Sequence, residues 1–517
     1  MKHARGFALL ALILIVAAGL RLWNLDAESL WLDEIHTHGL MQISIGEMLS
    51  TNGNHTPLFF LIEHKWVEFF GTSDFSMRFP SFIFSVLAIG AAFFATRRLT
   101  DHGTAILTAL ILTVTAFHIH YAQDARPYAL LALVTALALL AFVRFLERPT
   151  ILNSTLLVLA NVLALYSHFY GIFMIFAQNA YVLAIHFGGS RLPRRAEKPG
   201  SSSKEAETDL PAPGLLRWFI LQAVIALLFF PWIINLVNDV QTHKDKRPDY
   251  PPPALRKLIG PFITYSGTHV QFLLYGLLAA VPVLKRFGPR IVLLLLWLFV
   301  PIVVPFVGAH LFMPQAFITR YTIGSSLAFY ILVAWGIRLL PSPRFRAGAI
   351  AVVLLLAAAD LRTYYTTENR APWREATATI AERYEARDLM IMHSGLPRGP
   401  FLHYWPGDAP RLVPFPPEGT FYFTGLLDSL EEAVEKEPRF WYVESYSRDP
   451  KGLITEVMAK NHDLVYEKRW DTVNSAMGKT VSIAARLYER RTGAGGTTGA
   501  PDTTDGSDGP DTEGGAP

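Results

Sequence analysis

Short stretches at four places along this 517-residue chain hold the side chains best suited to acid–base or anion-binding chemistry. ESLWLDEIHTHGL sets Asp33 and Glu34 side by side near Trp31, His36 and His38, and NGNHTPL follows with His55. HIHYAQDARPYALL carries His118, His120, Asp124 and Arg126, YSHFYG carries His168 and Tyr170, and MPQAFITRY ends in Arg320 and Tyr321. A positioned carboxylate takes a proton from a hydroxyl. Arginine meets phosphate oxygens with paired N–H groups, and imidazole serves as base or metal ligand. Each also has an ordinary reading. Adjacent acids at a helix start are commonly solvated caps. Histidines two apart, such as His118 and His120, share no helix face and suit the headgroup region. Arg126 and Arg320 suit lipid phosphates at the ends of spans, and Trp23, Trp31 and Trp66 suit the interface.

The elements that must position these residues are membrane spans. The chain is 51% hydrophobic and only 17% charged, with a mean hydropathy of +0.29, where soluble proteins carry about 25% charged residues. A net charge of +3 without a basic domain gives nucleic acid no footing. The absence of cysteine removes disulfides, thiolate metal sites and cysteine nucleophiles. Residues 7–23 read as a retained first span, since no small-residue cleavage site follows them. Further uncharged runs lie at 79–96, 104–123, 127–143, 149–167, 169–187, 218–238, within 258–284, within 291–319, and at 321–337. A shorter run, 347–359, spans if Arg346 and Arg362 reach the interfaces, which gives about eleven transmembrane helices.

Residues 57–70 are apolar but contain Glu63, Lys65 and Glu68. Reading them as an amphipathic juxtamembrane helix within an outer loop, 24–78, collects the basic loops on one face. These hold Arg97 and Arg98, Arg144 and Arg148, the group from Arg191 to Arg217, and Lys285 with Arg286 and Arg290. By the positive-inside rule that face is cytoplasmic, with the N-terminus, and the four polar stretches are outside. Residues 188–213 read as a cytoplasmic linker rich in Pro, Ser and charge, and 491–517 as a disordered acidic tail. Between them, 1–361 form the membrane domain and 362–490 a small extracytoplasmic α/β domain. There ATATIAERYEA and LLDSLEEAVEKE predict helices, and DLMIMHS, RFWYVESY, DLVYEKRW and TVSIAARLYER predict strands.

Several acids, arginines and imidazoles thus recur in short loops on one side of the bilayer. LWLDE, NHTPLFFLIEHKWVEFFGTSDFSMRFPS, HIHYAQDARPYALL and YSHFYG, in this order and spacing, resemble the polyprenol-dependent glycosyltransferases of the GT-C fold. The likeness is to family 39, with its protein mannosyltransferases, aminoarabinose transferases and lipopolysaccharide-core galacturonosyl transferases. It covers about residues 5–340. The chain has NHTPL where many members have H-P-P-L, and Asp124 where many have Glu. The resemblance implies an α-helical polytopic protein of the bacterial cytoplasmic membrane that moves a sugar from a polyprenyl-phosphate donor to a hydroxyl of a lipid, glycan or protein, with inversion. It implies Asp33 as base, Glu34 as its orienter or merely a helix-start charge, and Asp124 as a second acid that orients the acceptor or holds a cation. Arg126, Arg320 and Tyr321 would bind the donor phosphate. His55 takes a position near a metal in some relatives, and His168, beside Tyr170, would complete a divalent metal or acceptor site.

The alternative is a lipid or solute transporter or flippase. Transporters place ionisable groups deep in spans or pair broken helices in repeated halves. Here the charges crowd at the outer ends, and the deep breakers are prolines such as Pro231, Pro301 and Pro305. A scaffold with degenerate loops fits less well with Asp33, Asp124 and Arg126 all present.

Overall fold

The computed structural model describes residues 2–52, 55–188, 210, 213–242, 251–312, 316–393, 397–415, 427–445, 452–474 and 479–491. Nearly all of the expected linker and tail lies outside them. The chain divides into two compact units: Met1–Ala27 with Thr37–Thr366, and Glu28–His36 with Thr367–Pro517.

The first unit is helical: α1 (Lys2–Leu22), the end of α2 (Leu32–Met41), α3 (Ile45–Thr51), α4 (Leu58–Phe70), α5 (Asp74–Leu99), α6 (His102–Val114), α7 (Ala116–Ala122), α8 (Tyr128–Glu147), α9 (Ile151–Ser167), α10 (Gly171–Gly188), α11 (Leu215–Thr242), α12 (Gly260–Ser266), α13 (His269–Arg286), α14 (Pro289–Leu311), α15 (Ile323–Arg338) and α16 (Pro343–Thr366). Helix starts follow local chemistry. Ser73, Asp101, Thr150 and Thr268 stand before α5, α6, α9 and α13, and each side chain accepts a backbone N–H of the first turn.

Every expected span coincides with one of these helices or with a bent pair. Among the described residues, five helices are long and apolar enough to cross a membrane, or seven if each bent pair is one span, against the eleven expected. Helices at 6–22 and 151–167 are apolar but shorter. Two spans expected to be continuous are broken. The run 104–123 bends by 63° between α6 and α7, and 258–284 bends by 91° between α12 and α13. The breaks fall at Thr115 and at Gly267–Thr268, whereas Pro231, Pro301 and Pro305 sit inside unbroken helices. The run 347–359 is only the middle of the 24-residue α16.

The break at Thr115 would strand the last carbonyls of α6 in a place without water. The Thr115 hydroxyl donates to the Ile111 carbonyl at 2.6 Å. The fully buried Arg21 guanidinium donates to the carbonyls of Leu112 and Thr113, at 2.9 and 3.2 Å, and to Ser85 Oγ at 2.8 Å. Core packing centres on α15, which is buried from Ile323 through Ile337; a helix apolar on all sides belongs inside a bundle. Gly336 lets α13 approach it, because a Cβ there would lie 1.9 Å from the Leu278 carbonyl oxygen. Helix α4 buries Phe59, Phe60, Glu63 and Val67 and leaves Phe69 and Phe70 exposed, the two-faced helix expected at 57–70.

In the second unit, β1 (Leu389–His393), β2 (Arg411–Phe415), β3 (Arg439–Ser445), β4 (His462–Asn474) and β5 (Lys479–Arg490) form one sheet in the order β2-β1-β3-β5-β4. Strand β1 is parallel to both neighbours, and β5 is antiparallel to β3 and β4. Helices α17 (Trp373–Ala381), α18 (Arg398–Tyr404), α19 (Leu427–Glu435) and α20 (Leu453–Ala459) cover it. Alternate residues of β1 and β3 feed two cores. Met390, Met392, Trp441 and Val443 pack with Trp373, Ile380 and Phe401, while Leu389, Ile391, Phe440 and Tyr442 pack with Leu430, Val434, Ile454 and Met458. Strand β2 was not expected; its Pro414 argues against a strand, and the sheet tolerates it because β2 is an edge.

Arg21→Met keeps an apolar stem of similar length and removes the donors to the Leu112 and Thr113 carbonyls at the α6 end. With about 1.5–3 kcal/mol for a hydrogen bond to a charged group, its unfolding midpoint in detergent should fall markedly, by roughly 3 kcal/mol of stability. An unchanged midpoint would show that the cap is dispensable.

Candidate functional site

Helix α7 ends at Ala122, and the next residues, Gln123 to Arg126, are buried. The Gln123 amide donates to the carbonyls of Arg21 and Trp23 at 3.0 and 2.7 Å and accepts from the Tyr364 hydroxyl at 2.7 Å. Arg126 N–H donates to the Asp124 carbonyl at 2.7 Å, Ser81 Oγ donates to the Arg126 carbonyl at 3.3 Å, and Pro127 starts α8. Asp124 is fully buried in this turn. His118 and His120, expected among headgroups, are buried in the protein, with the His118 ring 2.9 Å from Ser326 Oγ.

Arg126 is 5% exposed. It donates to Thr37 Oγ1 and meets His55 Nε2, each at 3.2 Å, and its guanidinium lies 5.6 Å from the Phe60 ring centre. A guanidinium only donates, so His55 Nε2 accepts and the ring proton sits on Nδ1. Arg320 lies on a 3-10 turn, Thr319–Thr322, with its guanidinium 5.8 Å from the Tyr128 ring and 5.5 Å from the Tyr321 ring. The Tyr321 ring is 4.6 Å from His168 and 5.3 Å from Tyr170. The Tyr170 hydroxyl donates to the Ala316 carbonyl at 2.5 Å. Burial, then the charges of Arg126 and Arg320, push the His168 imidazole down to about 3. Burial pushes the Tyr170 phenol up. Both guanidinium groups therefore act on one imidazole in the turn between α9 and α10. His55, Arg126, His168, Tyr170, Arg320 and Tyr321, drawn from four separate sequence stretches, lie in this one region.

Asp33 and Glu34 open α2 and belong to the second unit. Asp33 is half-buried. Glu34 is fully buried rather than a solvated cap: its carboxylate accepts from Trp31 N–H at 3.3 Å and is ion-paired with Arg370 at 3.6 Å. Arg370 and Thr37 escaped sequence reasoning. Thr37 lies amid histidines that drew attention first, and Arg370 follows the last span in NRAPW, where a basic residue reads as an interface anchor.

Among the described residues, no three His, Asp or Glu side chains gather in a group that could hold a metal ion. His55 turns its Nε2 to a guanidinium, and His168 Nδ1 accepts from Tyr170 N–H at 3.1 Å. This donor set does not fit a cation between them.

Residues 54–197 match the family described as dolichyl-phosphate-mannose-protein mannosyltransferase. No curated protein matches the chain. Among solved structures, the chain is similar to ArnT from Cupriavidus metallidurans bound to undecaprenyl phosphate, at 16% identity, TM-score 0.57, over 92% of this chain and 97% of that one. It is also similar to the oligosaccharyltransferase AglB from Archaeoglobus fulgidus in complex with an inhibitory peptide and a dolichol-phosphate. That likeness has 12% identity and TM-score 0.53, over 93% of this chain and 74% of AglB. The chain is a multi-pass membrane protein with the GT-C glycosyltransferase fold.

The His168 ring stays neutral in the folded protein where the unfolded chain would protonate it, since its pKa of about 3 lies below the ordinary 6.5. Its contribution to stability is complete above about pH 6.5 and is lost as pH falls toward 3. His168→Gln should therefore flatten the fall in Tm between pH 7 and pH 5; a slope equal to that of the wild type would refute this.

Proposed function

We propose that this GT-C glycosyltransferase transfers a sugar from a polyprenyl-phosphate donor to a hydroxyl acceptor on the extracytoplasmic face of the cytoplasmic membrane, with inversion. The observation that carries the reading is the pair of arginines, Arg126 and Arg320, whose charges converge on His168 among the rings of Tyr128, Tyr170 and Tyr321. A lipid phosphate is an anion that leaves with its electron pair. Fixed guanidinium groups stabilise that charge as it develops, and no strong general acid is needed. The flanking aromatic rings also suit the face of a sugar. The match to the mannosyltransferase family over 54–197 and the undecaprenyl phosphate bound by ArnT support a donor of this class.

In this reading Asp33 removes the acceptor hydroxyl proton. The oxygen attacks the anomeric carbon as the bond from that carbon to the phosphate oxygen breaks, and the electron pair passes to the phosphate held by Arg126 and Arg320. Asp124 orients the acceptor, and Tyr321 stacks beside Arg320. Glu34 is ion-paired with Arg370 and stands beside the base as its orienter. The basic cytoplasmic loops support the orientation, with the N-terminus inside and the residues after 366 outside.

Asp33→Asn should abolish transfer from a polyprenyl-phosphate sugar in a membrane assay while the protein stays folded; full turnover would sink the assignment of the base. Arg126→Ala should raise the apparent KM for the donor about tenfold or more, the worth of one charge-assisted hydrogen bond. An unchanged dependence on donor concentration would count against the clamp.

A further inference from the structure

We infer that the C-terminal unit serves the reaction as a positioning device, and that Arg370 is the residue through which it sets the first turn of α2, where Asp33 stands. This rests on the reading of Asp33 as the base. The nine residues Glu28–His36 pack with the chain after Thr366 rather than with the sequence on either side of them.

Their attachment is specific at both ends. Arg370, 3% exposed, reaches Glu28 Oε2 with Nη1 at 3.1 Å and lies 3.6 Å from the Glu34 carboxylate through Nε. One guanidinium thus ties two carboxylates six positions apart. The Asn369 backbone N–H and side-chain amide donate to Glu28 Oε1 at 2.6 and 3.1 Å. Arg374 N–H donates to Ser29 Oγ at 3.0 Å, and Leu30 N–H donates to the Tyr404 hydroxyl at 2.7 Å. Gly399 leaves room for Ile35, whose Cγ2 would lie 3.0 Å from a Cβ at position 399. Residues 28, 29, 30, 34 and 35 are all held, and Asp33 lies between them.

A planar fork shared by two acids fixes direction as well as distance, which a lysine would not do. Glu34 is fully buried, and breaking a buried ion pair by removing one partner is costly. Catalysis by a general base depends steeply on placement: a displacement of about 1 Å costs roughly 100-fold in rate. In this scheme Arg370 acts through Glu34 on the residue beside it.

The test uses the full-length protein in nanodiscs. It compares wild type, Arg370→Met and Glu28→Gln by amide hydrogen exchange, by binding of undecaprenyl phosphate, and by turnover with polyprenyl-phosphate hexoses and pentoses. Arg370→Met should speed exchange in residues 28–36 alone, lower kcat roughly 100-fold, and leave the Kd for undecaprenyl phosphate and the donor KM unchanged. Glu28→Gln, a milder lesion that keeps the Glu34 pair, should show the same local effect at smaller size and serves if Arg370→Met fails to fold. Unchanged exchange over 28–36, unchanged kcat, or exchange that rises throughout the protein would each overturn the inference. A wild type that turns over none of these donors would overturn the reading of the function instead, and the exchange data would still decide whether Arg370 holds the segment.

Discussion

A broken helix inside a bundle needs donors for its loose carbonyls, and in this chain Arg21 supplies those of Leu112 and Thr113 at the end of α6 while the Thr115 hydroxyl supplies that of Ile111. Arg21 spends its guanidinium on the end of α6, where the helix dipole adds negative potential. The consequences run in sequence. With those carbonyls satisfied, α7 departs by 63°. Gln123 then reaches back to the carbonyls of Arg21 and Trp23. The turn from Gln123 to Pro127 is thereby fixed, and Arg126 projects from a buried, fully hydrogen-bonded backbone instead of a mobile loop. The proposed donor site inherits its rigidity from Arg21, in the last turn of the first helix.

Arg126 and Arg320 reach the same region by different means, one from the turn before α8 and the other from a 3-10 turn before α15. Each has aromatic faces within about 6 Å, which attract a cation through the ring quadrupole. Burial first, and then the charges of Arg126 and Arg320, hold the His168 ring neutral well below pH 6.5. Those charges are already in place before any anion arrives, and no reorganisation is needed when charge develops on a leaving phosphate.

Much of this was legible in the sequence because its signals are local. Uncharged runs marked the long apolar helices of the bundle, and basic loops suggested an orientation. The order of LWLDE, NHTPL, HIHYAQDARPYALL and YSHFYG gave the fold family and gathered His55, Arg126 and His168 before their geometry was known. What was not legible depends on partners far along the chain. The bend at Thr115 is permitted by Arg21, more than ninety positions away; without that knowledge, prolines were the natural breakers to suspect. The burial of Glu34 depends on Arg370, and the burial of His118 on Ser326. Strand β2 hid behind Pro414, which only an edge position makes acceptable.

The segment Glu28–His36 is made early, yet Asn369, Arg370, Arg374 and Tyr404, to which it is fastened, are made more than three hundred residues later. During synthesis at the membrane, the α2 start therefore waits without its partners until the last span has been inserted and the chain beyond it has been released. A truncated or stalled product holds the arginines of the donor region but lacks the anchorage of the acid proposed to start the reaction.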